Sequence, residues 1–177
     1  MLKRYLLGAF FSVAVLTNAS AQTVSVNAGP ELLHSFNHDP AFWGAGITAQ
    51  GEIWVKERLG LGLNTGFLRF ASTRPLIPTG TVTYNAIPVL AVIKYPLPVI
   101  KNLYGQDAMG YTFATDVHYR NNGGNVPGGF TYYFSLGYVF AKHFDMAVKV
   151  GRSRFDKKDR PANVNEHNLG LKLAYVF

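Results

Sequence analysis

Cysteine is absent from the 177 residues, which excludes disulfides, thiolate metal sites and cysteine nucleophiles together, while saying little about compartment. Charge is sparse: 15% of residues are charged against 48% apolar, a balance that excludes a disordered chain. Acids are scarcer than bases, 10 against 17, leaving a net charge of +7. The basic residues are scattered and accompany no RNA- or DNA-binding motif, so nucleic acid is not an expected partner. Long apolar runs are lacking too. The uncharged stretch Tyr5 to Leu16 falls short of the ~20 residues a helix needs to cross ~30 Å of hydrocarbon. Helical periodicity is hard to find anywhere after residue 22.

The N-terminal segment reads as an export signal rather than as part of the fold. Lys3 and Arg4 precede the apolar run, and Ala19-Ser20-Ala21 supplies the small-x-small pattern that a signal peptidase reads. Residues 1–21 are therefore expected to be a secretory signal peptide cleaved after Ala21, and 22–177 a single domain. Without a cysteine there is no lipidation site.

What the chain does have is 18 Gly, 13 Phe, 10 Tyr and 2 Trp, a composition that leans to β structure. Period-2 alternation recurs in segments of roughly ten residues between polar, Gly- or Pro-containing breaks. It predicts eight strands, near 23–33, 41–55, 59–70, 80–95, 108–120, 130–141, 144–154 and 165–177. The connections 34–40, 71–79, 121–129 and 155–164 are polar and would share one end. At the other end Lys56-Glu57-Arg58 and Lys142-His143 are tight turns, and Pro96 to Asp107 is a longer connection. An even strand number with short turns at one end and longer loops at the other is the pattern of an all-β, eight-stranded, antiparallel up-and-down transmembrane β-barrel.

Alternation also sorts the faces. In the last strand Leu169, Leu171, Leu173, Tyr175 and Phe177 share one face, and Asn168, Gly170, Lys172, Ala174 and Val176 the other. The sixth strand sets Phe130, Tyr132, Phe134, Leu136, Tyr138 and Phe140 against Thr131, Tyr133, Ser135, Gly137, Val139 and Ala141. Periodicity alone leaves the direction open, because a soluble lipocalin-like binder of an apolar ligand would turn the apolar face inward. Three features favour outward. Aromatics gather near both strand ends: Phe36, Trp43, Phe70, Tyr119, Phe130 and Phe155 toward the loops, Tyr95, Tyr111, Tyr138, Phe140, Phe144, Tyr175 and Phe177 toward the turns. These are expected as two interfacial girdles. The polar face is rich in small residues and sparsely charged, as suits a crowded lumen. The chain also ends on an aromatic.

Two segments carry a family resemblance. The ending Leu169-x-Leu171-x-Leu173-x-Tyr175-x-Phe177 resembles the terminal β-signal of outer-membrane proteins. Tyr84-Asn85-Ala86-Ile87-Pro88-Val89-Leu90, followed by Lys94-Tyr95, resembles a strand of PorT-like barrel domains. As architecture the resemblance, to the small OmpA/OmpX-like or PorT-like outer-membrane barrels, covers the whole mature chain. It implies location in the outer membrane, contact with its lipid and lipopolysaccharide, and recognition of the last strand by the barrel-assembly machinery. It implies no single chemistry. Pro88 departs from a regular strand centre by lacking a ladder donor, so a bulge or local irregularity is expected there.

An eight-stranded barrel is just wide enough for side chains, so a filled lumen rather than an open pore is expected. Glu31, Glu52, Asp116, Arg120, Lys149 and Lys172 are placed inward and expected to pair across it, with His118 on the same face as Asp116. The last loop gathers Arg152, Arg154, Lys157, Lys158 and Arg160 beside Asp156 and Asp159, a candidate contact for lipopolysaccharide phosphates. The enzymatic alternative is a lipid-A-modifying barrel, an acyl hydrolase or acyltransferase. Its hydrolase form resembles enzymes with His and Ser two positions apart on one strand face, and that pattern does not occur in this sequence. The segment His34-Ser35-Phe36-Asn37-His38-Asp39 holds the side chains of a triad or metal site, but reads more readily as a polar turn before Pro40. No catalytic residue, metal or cofactor is assigned. The expected role is structural or loop-presenting.

Overall fold

Alternating side chains let a strand bury one face and expose the other, and in this chain the segments with that pattern close on one another. In a computed structural model, which describes residues 23–36, 41–55, 58–72, 83–118, 128–155 and 164–177, eight strands form a closed barrel in chain order. They are β1 (Thr23–Ser35), β2 (Phe42–Val55), β3 (Leu59–Ser72), β4 (Thr83–Pro96), β5 (Leu103–His118), β6 (Gly129–Phe140), β7 (Phe144–Phe155) and β8 (Val164–Val176). Every neighbouring pair is antiparallel, and β1 meets β8 from Asn27↔Val176 to Ser35↔Asn168. Closure leaves no sheet edge unpaired. The seam is tightened at the turn end where Phe177 N donates to Val26 O over 2.9 Å.

The apolar face points outward. Leu171, Leu173 and Tyr175 are 48%, 44% and 42% exposed, whereas Lys172 and Ala174 between them are buried. Leu61 and Leu63, Ile93, Phe134, Leu136, Val148 and Val150 repeat this around the wall. Glu31, Glu52, Lys94, Lys149 and Lys172 lie inside this wall and hydrocarbon outside, the reverse of a soluble lipocalin-like barrel.

Several expectations need correction. The connection expected to run from Pro96 to Asp107 is short, because β5 begins at Leu103 and pairs with β4 up to Tyr104↔Pro96. The start of β5 escapes the polarity pattern since Asp107 faces out and Tyr104 and Ala108 face in. The earlier start carries Tyr111 up the wall to face Phe130 near the loop end, away from the turn-end girdle. Phe70 and Phe155 leave the girdle altogether, being buried in the lumen.

Pro88 produces the expected local irregularity, though not as a bulge. It stays in register with Thr112 on β5, while the β3 ladder lapses at Ile87 and Pro88 and resumes unshifted at Leu68↔Ala86. The one register shift of β4 lies between Thr83 and Asn85. Pro30 in β1 has the same effect: its ladder with β8 lapses at Gly29 and Pro30 and resumes at Glu31↔Lys172. Each proline lacks its N–H toward one neighbour only, so pairing with the other strand holds the register.

Candidate functional site

The lumen falls into two halves. Toward the turns it is ionic. Lys94, from β4, lies 3.1 Å from Glu52 Oε1 of β2 and 3.4 Å from Asp145 Oδ2 of β7, with all three side chains buried. Its ammonium also sits 3.9 Å from the centre of the Tyr104 ring, whose hydroxyl donates to Asp145 Oδ1. Gln50 Nε2 donates to Glu52 Oε1 and to Gln106 Oε1, at 2.8 and 2.9 Å. Lys172 Nζ donates to Asn27 Oδ1 at 2.8 Å, and Asn27 Nδ2 reaches Glu52 Oε1 at 3.3 Å. Each buried charge thus meets an opposite charge or an amide, which is what makes its burial tolerable. Midway along the axis Lys149 pairs with Glu31 at 2.7 Å, and Thr48 Oγ1 donates to the second carboxylate oxygen at 2.9 Å.

Toward the loops the lumen is filled by rings and aliphatic groups. Phe70 and Tyr84 stack with centroids 4.8 Å apart, and Phe155 packs edge-on to Tyr84 at 6.2 Å. Leu33, Leu68, Ala86 and Leu90 complete this core, all buried. The rings fit because glycines face them: a Cβ at Gly44 would overlap the Phe70 ring, and one at Gly137 the Tyr104 ring in the other half. One carboxylate lies here. Glu166, buried, accepts from Tyr84 Oη at 3.0 Å. Among the described residues, two voids within the barrel have room of about 10 Å³ each, enough for no more than a water molecule.

Of the residues expected in the lumen, Glu31, Glu52, Lys149 and Lys172 are there and are brought into these networks. The side chains of Asp116 and His118, and the whole of Arg120, lie outside the described residues. Lys94, Asp145, Glu166 and the amides Asn27, Gln50, Asn64, Gln106 and Asn168 were missed. Asn168 stands on the polar face read for the last strand, and Asp145 alternates with outward Phe144 and Met146 in the same way. Lys94 is hidden because β4 is apolar on both faces, with Leu90 and Val92 inside and Val89 and Ile93 outside.

Two further expectations change. Arg152 and Arg154 are not in a loop: they lie in β7 and alternate with buried Ser153 and Phe155, so they face outward. Lys157, Lys158 and Arg160 fall outside the described residues. The segment beginning at His34 is split by the strand: the His34 ring packs on Trp43 at 4.4 Å on the outer wall, while Ser35 is fully buried inside. A nucleophile and its base cannot meet from opposite faces of one strand. Asn37, His38 and Asp39 lie outside the described residues. Among the described residues no group of three or more His, Asp or Glu side chains is placed to hold a metal ion.

No family model and no curated protein matches the sequence. Solved structures do. The chain superposes on Neisserial surface protein A with a TM-score of 0.55 at 10% identity, covering 89% of this chain and 97% of that one. For Ail, the attachment invasion locus protein of Yersinia pestis, the TM-score is 0.56 at 10% identity, with 90% and 100% covered. For the N-terminal β-barrel domain of Pseudomonas aeruginosa OprF it is 0.55 at 13% identity, with 89% and 100% covered. With a closed eight-stranded barrel, an apolar wall and a lumen that holds the buried charges, the chain has the fold of the small β-barrels of bacterial outer membranes.

Proposed function

We propose that the protein is an integral outer-membrane barrel, exported by a signal peptide over residues 1–21, non-enzymatic and closed to permeation, whose role is structural or loop-presenting. The observation that carries this is the inverted distribution of polarity, with exposed Leu171, Leu173 and Val148 around a wall whose interior holds Glu31, Glu52, Lys94 and Lys149. In water such a wall would be an aggregation surface; in a bilayer it is solvated by acyl chains. The small size of the two voids found among the described residues supports a plugged lumen. The outward row Leu169, Leu171, Leu173, Tyr175 and Phe177 is read as the signal for the assembly machinery.

The chain is expected to fractionate with outer membranes, to show a heat-modifiable band on gels, and to give no discrete conductance steps in planar bilayers. Solubility of the refolded chain without detergent would sink the membrane reading, and regular conductance steps the plug. The lipid-A-modifying alternative has its own readout: expression would alter the mass spectrum of lipid A, and an unchanged spectrum is expected.

A further inference from the structure

The polarity of the wall inverts near the loop end of β7. Below, Val148 and Val150 face out and Lys149 faces in; above, Arg152 and Arg154 face out and Phe155 faces in. Cross-strand pairing sets Tyr132 of β6 beside Arg152 and Phe130 beside Arg154, with His167 of β8 on the other side of Arg152. Phe36 extends the row, its N–H donating to His167 O at 3.1 Å. Phe130, Tyr132, Arg152 and Arg154 line a shallow outer groove of about 140 Å³. Within it Arg152 Nε is buried with no hydrogen-bond partner among the described residues.

Height along the strand identifies the surroundings. With a rise of ~3.3 Å per residue and a strand tilt of ~40°, Arg152 stands ~20 Å and Arg154 ~25 Å above the turn-end ring of Phe144, against an apolar band ~25 Å tall. Arg154 therefore stands at the top of the apolar band, and Arg152 about one side-chain length below it, from where its long stem brings the guanidinium up to the headgroups of the outer leaflet. A guanidinium fork matches phosphate oxygens in geometry and charge, and flanking rings keep water from competing.

We propose that this wall of β6, β7 and β8 binds the phosphate of an outer-leaflet lipid, Arg152 and Arg154 holding its oxygens while Tyr132 and Phe130 pack against the body of the lipid. The site rests on the membrane reading above, and moves the anion contact expected of the last loop down onto the strand wall. It selects a phosphorylated lipid over free phosphate, because the rings offer nothing to inorganic phosphate.

The test uses the barrel purified from membranes in nonionic detergent, with native mass spectrometry counting adducts of diphosphoryl lipid A, of the same lipid stripped of phosphate, and of inorganic phosphate. The wild type should bind the diphosphoryl lipid at least ten-fold more tightly than the stripped lipid, with no inorganic phosphate retained. The R152Q/R154Q variant, shown to be folded by its heat-modifiable band, should lose that preference, while Lys101→Gln at the turn end keeps it. Full preference in the folded double variant would overturn the site, as would its loss on changing only Lys157, Lys158 and Arg160 to Gln, or equal capture of inorganic phosphate. Co-flotation with plain phosphatidylcholine vesicles reads membrane insertion separately: failure there overturns the membrane reading, whereas flotation without phosphate preference overturns this site alone.

Discussion

The two halves of the lumen solve one problem by different means. Eight strands enclose a space that side chains must fill. The turn half fills it with a linked polar set, Lys94 between Glu52 and Asp145 with Gln50 and Gln106 alongside. The loop half fills it with volume, Phe70 on Tyr84 and Phe155 at their edge. A polar filling is stable only while every member keeps its partner. An aromatic filling degrades in proportion to the space lost. The halves should therefore fail differently under substitution.

The largest effect is expected at Lys94. Replacing it with Met leaves Glu52 and Asp145 buried without their shared cation, and the barrel should lose about 3–5 kcal/mol of stability in urea titrations of vesicle-inserted protein. The triple change E52Q/K94M/D145N should recover most of that loss, because a neutral set of similar shape carries no uncompensated charge. Failure of the triple variant to recover would mean that packing, not charge pairing, governs the turn half, and the contrast between the halves would collapse.

Next comes Phe70. Truncation to Ala removes the partner of the Tyr84 ring in a closed core and should cost about 3 kcal/mol, the low end of the range for a buried Phe. Phe70→Leu should recover more than half of it. No polar substitution elsewhere should rescue this loss, since the defect is a cavity. A smaller effect is expected for Tyr84→Phe, which keeps the ring and removes only the donor to Glu166, at about 1–2 kcal/mol.

Much of the architecture was legible in the sequence wherever one face was uniformly apolar. β6 and β8 read correctly, face by face, because Phe130 to Phe140 and Leu169 to Phe177 alternate without a break. Legibility ended where polarity inverts. Leu68 and Phe70 turn inward around Arg69, and Ser153 and Phe155 inward around Arg154, so an outward-aromatic rule misplaced both rings. The same inversion put Arg152 and Arg154 on the wall. The ionic half was half legible. Glu52 and Lys172 stand out as lone charges on a polar face, but Lys94 follows Val89 to Ile93 on a strand buried on one side and lipid-facing on the other, where hydropathy carries no period. The amides were missed because a search for charge does not weigh groups that serve as both donor and acceptor.

The smallest expected effect gives the sharpest contrast, since it makes one substitution in each half. Glu52 takes hydrogen bonds on Oε1 from Lys94, Gln50 and Asn27, so its charge is matched by a cation and two amides. Glu166 meets the Tyr84 hydroxyl in a chamber lined by Phe70, Phe155 and Leu68. Glu52→Gln therefore removes the charge that Lys94 was placed to meet and should cost about 2–3 kcal/mol. Glu166→Gln removes a desolvated charge yet keeps an oxygen to accept from Tyr84, so its effect should lie within about 1 kcal/mol of zero, on either side. Urea midpoints of the two variants, measured in the same vesicles, should differ clearly and in that order. Equal losses would show that the aromatic half depends on a carboxylate as strictly as the ionic half does, and that the lumen is one network rather than two fillings.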